Sequence, residues 1–224
     1  MRSQMLPIQT TVAQTAGGGE WLSSITVKNP SATASVQGIV NFLQSDGTAF
    51  PASISDPNRA FLIQPGGSAT FSVNNKGTLT TGYAKIFSNG AVTADVGYQH
   101  PVYSTSGRAT TTTARAISLP VTVATSPSLR NTGIALVAQS AGNLVLALTD
   151  SGGTAIAGGS RTIPVTAGQH ILGFVRDLLP TVTSTSFTGT LTITANATAG
   201  TGSLSVTALQ FNGVLAPVTI TTWP

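Results

Sequence analysis

Apolar and polar residues alternate along most of this chain, and glycine, asparagine, aspartate and proline interrupt the alternation at short intervals. Leu6, Ile8, Thr10 and Val12 alternate with Pro7, Gln9, Thr11 and Ala13, the period-two pattern of a strand with one apolar face. The same pattern predicts strands at Trp21 to Val27, Ser35 to Leu43, Ala60 to Ile63, Ser68 to Val73, Tyr83 to Phe87 and Val92 to Tyr98. A second series follows at Leu119 to Val123, Ile134 to Gln139, Leu144 to Thr149, Arg161 to Val165, Gly189 to Ala195, Ser203 to Phe211 and Val218 to Thr222. Asn89-Gly90 predicts a type I′ hairpin, because both central positions of that turn need positive φ and these residues tolerate it. Asn212-Gly213 predicts another turn. One segment breaks the β pattern. In GQHILGFVRDLLPT the apolar residues recur at roughly helical spacing, which predicts a short helix near residues 170–179, ended by Pro180 and plugging one end of the core.

The two series tell the same story twice. Leu6-Pro7-Ile8 matches Leu119-Pro120-Val121, NFLQSDGTAF matches LALTDSGGTAI, and IQPGGSATFSV matches IPVTAGQHILGFV. The closing segments Gly82 to Gln99 and Gly189 to Gly213 also correspond, so equivalent positions lie roughly 105 to 115 residues apart, the size of one sandwich domain. The expected fold is therefore all-β: two tandem Ig-like antiparallel β-sandwich domains at 1–104 and 117–224. Residues 105–116, TSGRATTTTARA, lack apolar periodicity and are expected to cross between them.

Composition narrows the function classes. Charged residues make up 7% of the chain, far below the roughly 25% of an average soluble protein, so Ser, Thr, Asn and Gln supply the polar surface. That balance suits secreted structural β-proteins better than cytosolic enzymes. The ten basic residues are scattered and the net charge of +4 reflects scarce acids, so a nucleic-acid groove of clustered cations and interleaved aromatics is not expected. There are no cysteines, and stability has to come from packing and hydrogen-bonded ladders. No stretch approaches 18 consecutive apolar residues and MRSQMLPIQTTVAQ has no apolar core of a signal peptide, so neither membrane insertion nor a signal peptide is expected from this chain.

The pattern GGGEWLSSITVKNPSATASVQGIVNFLQSDGTAF, followed by Ile-Gln-Pro-Gly-Gly-Ser and Gly-Tyr-Ala-Lys-Ile, resembles an uncharacterised class of tandem Ig-like β-sandwich modules in secreted bacterial surface proteins. The resemblance covers nearly the whole chain, although the second copy lacks both the Trp and the Asn-Pro of the first. It implies an extracellular or cell-surface β-module and carries no active site.

The residues themselves offer little chemistry. Asp46 and Asp150 fall at matching turns, where Asp is expected for backbone reasons. Glu20 and Asp56 could form a glycosidase pair only if loops brought them together. His100 and His170 are isolated, with no clustered ligands, so no metal and no cofactor are expected. PGGSA at Pro65 to Ala69 reads as a turn, not a nucleophile elbow. Lys28, Lys76 and Lys85 are candidates for isopeptide crosslinks to Asn, but no spacing supports one. Asn196-Ala197-Thr198 is a sequon.

Aromatic residues are better recognition candidates, and Trp21, Tyr103 and Trp223 are the candidate ligand aromatics, although Trp21, opening a strand after a triple-glycine loop, is expected to plug the core in preference to stacking on a sugar. Self-association is the other candidate, because an open sandwich with few charges has little to guard its edges. Leu6, Ile8, Thr10 and Val12 form the candidate assembly strand: donated to a neighbour they would build a homopolymer or homo-oligomer, while kept at home they would pair in their own domain. The sequence thus reads as a non-enzymatic extracellular structural protein, a self-assembling subunit of a surface filament, sheath or layer. The alternative is an adhesin or carbohydrate-binding module of a larger secreted protein, with a glycan or surface ligand as partner.

Overall fold

A computed structural model describes residues 8–51, 58–74, 76–103, 107–124 and 130–223. The chain is all-β with antiparallel sheets and divides into two compact units, Met1–His100 and Pro101–Pro224. The first holds β1 (Ile8–Gly18), β2 (Trp21–Lys28), β3 (Val36–Gln44), β4 (Asn58–Ile63), β5 (Ser68–Ser72), β6 (Thr80–Ser88) and β7 (Thr93–Gln99). The second holds β8 (Gly107–Thr110), β9 (Thr112–Ala114), β10 (Ala116–Val123), β11 (Asn131–Ala138), β12 (Gly142–Asp150), β13 (Ala155–Val165) and β14 (His170–Phe174). It continues with α1 (Val175–Leu178), β15 (Phe187–Ala197), β16 (Leu204–Phe211), β17 (Leu215–Pro217) and β18 (Thr221–Trp223).

The sequence repeat is a repeat of strand pairing. In the first unit β1 and β3 flank β6, β4 adds to β3, and β2 lies between β5 and β7. In the second, β10 and β12 flank β15, β13 adds to β12, and β11 lies between β14 and β16. In the seven-strand immunoglobulin arrangement the first strand shares a sheet with the second, fourth and fifth. Here the common order is fourth-third-sixth-first, and in the first unit β1 also pairs with β2, so that β1 to β7 join in one sheet.

Alternation decides which side chains go inside. In the second unit Ile117, Leu119, Val121 and Val123 of β10 are buried, as are Leu191 and Ile193 of β15 and Leu144, Leu146 and Leu148 of β12. They share one core with Ile134 and Leu136 of β11 and Leu204 and Val206 of β16, so the inner faces of two sheets meet. Each such aliphatic contributes about 1.5–3 kcal/mol through burial. In the first unit Val40, Phe42, Ile86, Ile25, Val27 and Val96 are fully buried. Tyr98 is buried with them, and its hydroxyl donates to the Gln14 carbonyl at 2.9 Å, which satisfies its polar tip.

Several expectations are corrected. Asn89-Gly90 makes no type I′ hairpin: among the described residues β6 and β7 do not pair with each other, and neither turn residue has positive φ. Instead Asn89 extends the ladder of β3, its N–H donating to the Gln37 carbonyl and its Oδ1 accepting the Gln37 N–H at 3.0 Å. A Cβ on Gly90 would lie 2.9 Å from Val36 Cγ2, so glycine serves close packing there. The segment at 170–179 is only half helical, because His170–Phe174 pairs with β11 and leaves one turn at Val175–Leu178. Val175, Leu178 and Leu179 of that turn are buried in the core. Residues 105–116 carry β8 and β9, and β9 pairs with β16, with the Thr113 and Ser205 hydroxyls bonded at 2.6 Å. The single strand expected at 218–222 is two short ones, β17 on β16 and β18 on β10. The Asn212-Gly213 turn does form, with Gly213 at φ 68°, between β16 and β17.

Candidate functional site

The candidate assembly strand lies in its own unit. Ile8, Thr10 and Val12 pair with Ser88, Ile86 and Ala84 of β6, and Val12 is buried in the core. Leu6 lies outside the described residues. Exchange of this strand would leave β6 without one of its two partners.

Three glycines lead to the first aromatic. Gly17 and Gly18 of β1 pair with Leu22 and Trp21 of β2, leaving Gly19 and Glu20 as a two-residue loop. Their φ values are 54° and 71°, both positive as a type I′ turn requires. The loop is braced from beneath: Gly18 N–H donates to the Asn74 carbonyl and Gly19 N–H to the Gly77 carbonyl at 2.8 Å. Glu20 holds a backbone conformation that suits Gly or Asn, which leaves its carboxylate largely exposed and 4.0 Å from His100 Nε2. Trp21, half-buried, packs its ring against that of His100 with centroids 4.7 Å apart. Trp21 is thus neither one of the fully buried core residues nor one of the exposed large apolar ones. The β2–β7 register, Leu22 opposite Gln99, brings His100 beside a residue 79 positions earlier, a proximity absent from local sequence.

Tyr103 lies in a bend outside any strand at the start of the second unit, and Trp223 lies in β18. Tyr103 is half-buried, its ring 5.7 Å from that of Phe211, which meets Phe174 at 5.4 Å, and burial raises the Tyr103 phenol above its ordinary pKa. Trp223 is 45% exposed and lies opposite Ala116 on the outer side of β10. Cross-strand neighbours continue that row through Thr194, Val145 and Thr162, so the indole ends a five-strand row of small, uncharged side chains.

The carboxylates mostly hold backbone. Asp46 accepts the N–H and hydroxyl of Thr48 at 2.9 and 2.7 Å, and these bonds, the hydroxyl first, hold its carboxyl below the ordinary aspartate value. Asp150 accepts the N–H groups of Gly152 and Thr154, as expected of matching turns. Asp177 accepts the Phe174 N–H and starts α1, while Asp95 pairs with Lys28 at 2.7 Å. Asp56 lies outside the described residues, so the Glu20–Asp56 pairing does too. His170 is buried on β14 in the second unit. Among the described residues no group of three His, Cys, Asp or Glu side chains stands together to hold a metal. Lys85 faces Asn41 across β6 and β3, and its Nζ lies 5.9 Å from the Tyr83 ring; the flanking Thr11, Leu43, Tyr83 and Phe87 supply no carboxylate to promote a crosslink.

No protein-family model matches this chain, and no curated protein matches it at a significant level.

Proposed function

We propose that this chain is a non-enzymatic, extracellular structural protein of two tandem sandwich units, Ig-like in strand number and antiparallel pairing, that self-associates in a surface filament, sheath or layer. One observation carries the reading. Of the carboxylates in the described residues, Asp46, Asp95, Asp150 and Asp177 are each committed to a turn, an ion pair or a helix start. Apart from Glu20, exposed beside His100, the described carboxylates serve architecture, and hydroxyls such as the bonded pairs Ser24–Ser72 and Thr26–Thr70 supply much of the polar surface. Because β1 is paired at home, contact between copies uses faces or other edges in place of exchange of that strand.

Light scattering and electron microscopy of the purified chain, with and without residues 1 to 7, test this reading. Ordered filaments or sheets from the full chain are expected, and they persist after the truncation because β1 begins at Ile8. A monodisperse monomer at high protein concentration would overturn the proposal. A second reading, a carbohydrate-binding or adhesive module of a larger secreted protein, is favoured by the exposed Trp223 beside hydroxyl-bearing strands.

A further inference from the structure

The outer face of the sheet β13–β12–β15–β10–β18 belongs to no core. Beside the row that ends in Trp223 runs a second, Ser160, Ala147, Thr192, Ser118 and Thr221, one residue from each strand. Directly opposed residues of antiparallel strands share a face, and the buried residues between these positions, Leu146, Ile193 and Ile117, point the other way into the core. Further rows add Thr149, Thr190 and Pro120, and then Thr188 and Thr122. None of these side chains is charged. All are exposed or half-buried.

Their hydroxyls differ from those of the first unit. On β2 and β5 the hydroxyls satisfy one another, Ser24 with Ser72 at 2.9 Å and Thr26 with Thr70 at 3.1 Å. Among the described residues the hydroxyls of Ser118, Thr190, Thr192 and Thr194 bond to no protein group, so they are turned to an outside partner or to water. From these observations we infer that the outer face of this sheet, with Trp223 at its corner, binds a linear, uncharged polysaccharide.

The chemistry of the face selects that occupant. Free hydroxyls at regular spacing, about 4.8 Å across strands and about 6.7 Å along them, present donors and acceptors suited to a polyol. An indole can cover the apolar C–H face of a sugar ring at the end of the row. An anionic polymer would find no cation in the rows themselves and only Arg130 at their far end, beside Thr122 and Thr188. A protein partner fits worse: interface centres are enriched in aromatic residues and Arg and depleted in Ser and Ala, the reverse of this composition. The face spans roughly 600 Å², short of the roughly 800 Å² per partner of a standard stable interface, so a second copy is also a poor match.

This inference rests on the second reading above, and the experiment separates the two. The full chain is run by affinity electrophoresis through gels containing a soluble β-glucan, a galactomannan or dextran, with polygalacturonate as the acidic comparison, at about 0.15 M salt to screen the basic surface. Binding to at least one neutral polymer is expected, with Kd raised tenfold or more in Thr192→Lys and in Trp223→Ala and unchanged in Thr26→Lys on the first unit. Ser160→Lys, at an exposed position in the same row, repeats the test should Thr192→Lys melt early by circular dichroism. Retention by no neutral polymer would overturn the carbohydrate reading together with the face. Neutral-polymer binding that survives both lysine variants would overturn the face alone. A dimer in sedimentation that Thr192→Lys disperses would make a second copy the occupant and overturn the proposal.

Discussion

Glu20 shows how one residue can be set against its backbone. At φ 71° it is the one non-glycine residue with positive φ among the described residues, and the left-handed conformation costs an L-residue roughly 1–2 kcal/mol. Gly19 has no such penalty, and a Cβ there would meet Leu79 Cβ at 2.8 Å. Glu20→Gly should therefore stabilise the first unit by about 1 kcal/mol, less a few tenths for the added freedom of the unfolded chain. Urea denaturation followed by Trp21 fluorescence measures this, and a destabilised variant would mean that the carboxylate near His100 holds the turn. Strain of this size is kept where something else depends on the residue. The Glu20, Trp21 and His100 grouping is thus the part of the first unit that mutation should probe first.

A strand such as β15 carries two unrelated jobs on its two faces. Leu191 and Ile193 are fully buried, while Thr190, Thr192 and Thr194 look outward from the same backbone. Leu191→Ala should cost about 2–5 kcal/mol, since a cavity remains among residues from both sheets. Thr190→Ala should change stability by no more than about 0.5 kcal/mol. Equal losses in the two variants, read from guanidinium unfolding curves, would contradict the assignment of faces. The contrast also explains why the strand prefers threonine outside: a β-branched hydroxyl residue suits an extended backbone and still presents a polar group.

In the whole molecule the pairing is strongly non-local. Ile8 lies opposite Ser88, and Asn131 opposite Phe211, so β1 waits for β6 and β2 for β7, and likewise β10 for β15 and β11 for β16. Sheets built this way close long loops before contacts repay them, which places refolding in the range of roughly milliseconds to seconds. Stopped-flow fluorescence after dilution from urea checks this, and a main phase completed within microseconds would exclude the observed topology. No disulfide assists either unit, so this ladder and the cores beneath it carry the stability.

Alternation, turn residues and the internal repeat were enough to determine from sequence that the chain is all-β, where most strands run and that two similar halves follow one another. Those are local properties: a period of two reports which side of a strand meets apolar surroundings, and Asp46 and Asp150 bond within their own turns. The tertiary structure decided the rest. Asn89-Gly90 has hairpin chemistry, yet its flanking strands take different neighbours, and the apolar run at His170–Phe174 became a strand because β11 offered an edge to pair with. The register of β2 on β7 brought His100 to Trp21, and that of β18 on β10 carried Trp223 to the corner of a hydroxyl face. No local pattern encodes these placements, because the hydrogen bonds that create them form between residues tens of positions apart and depend on which edges the rest of the chain leaves open.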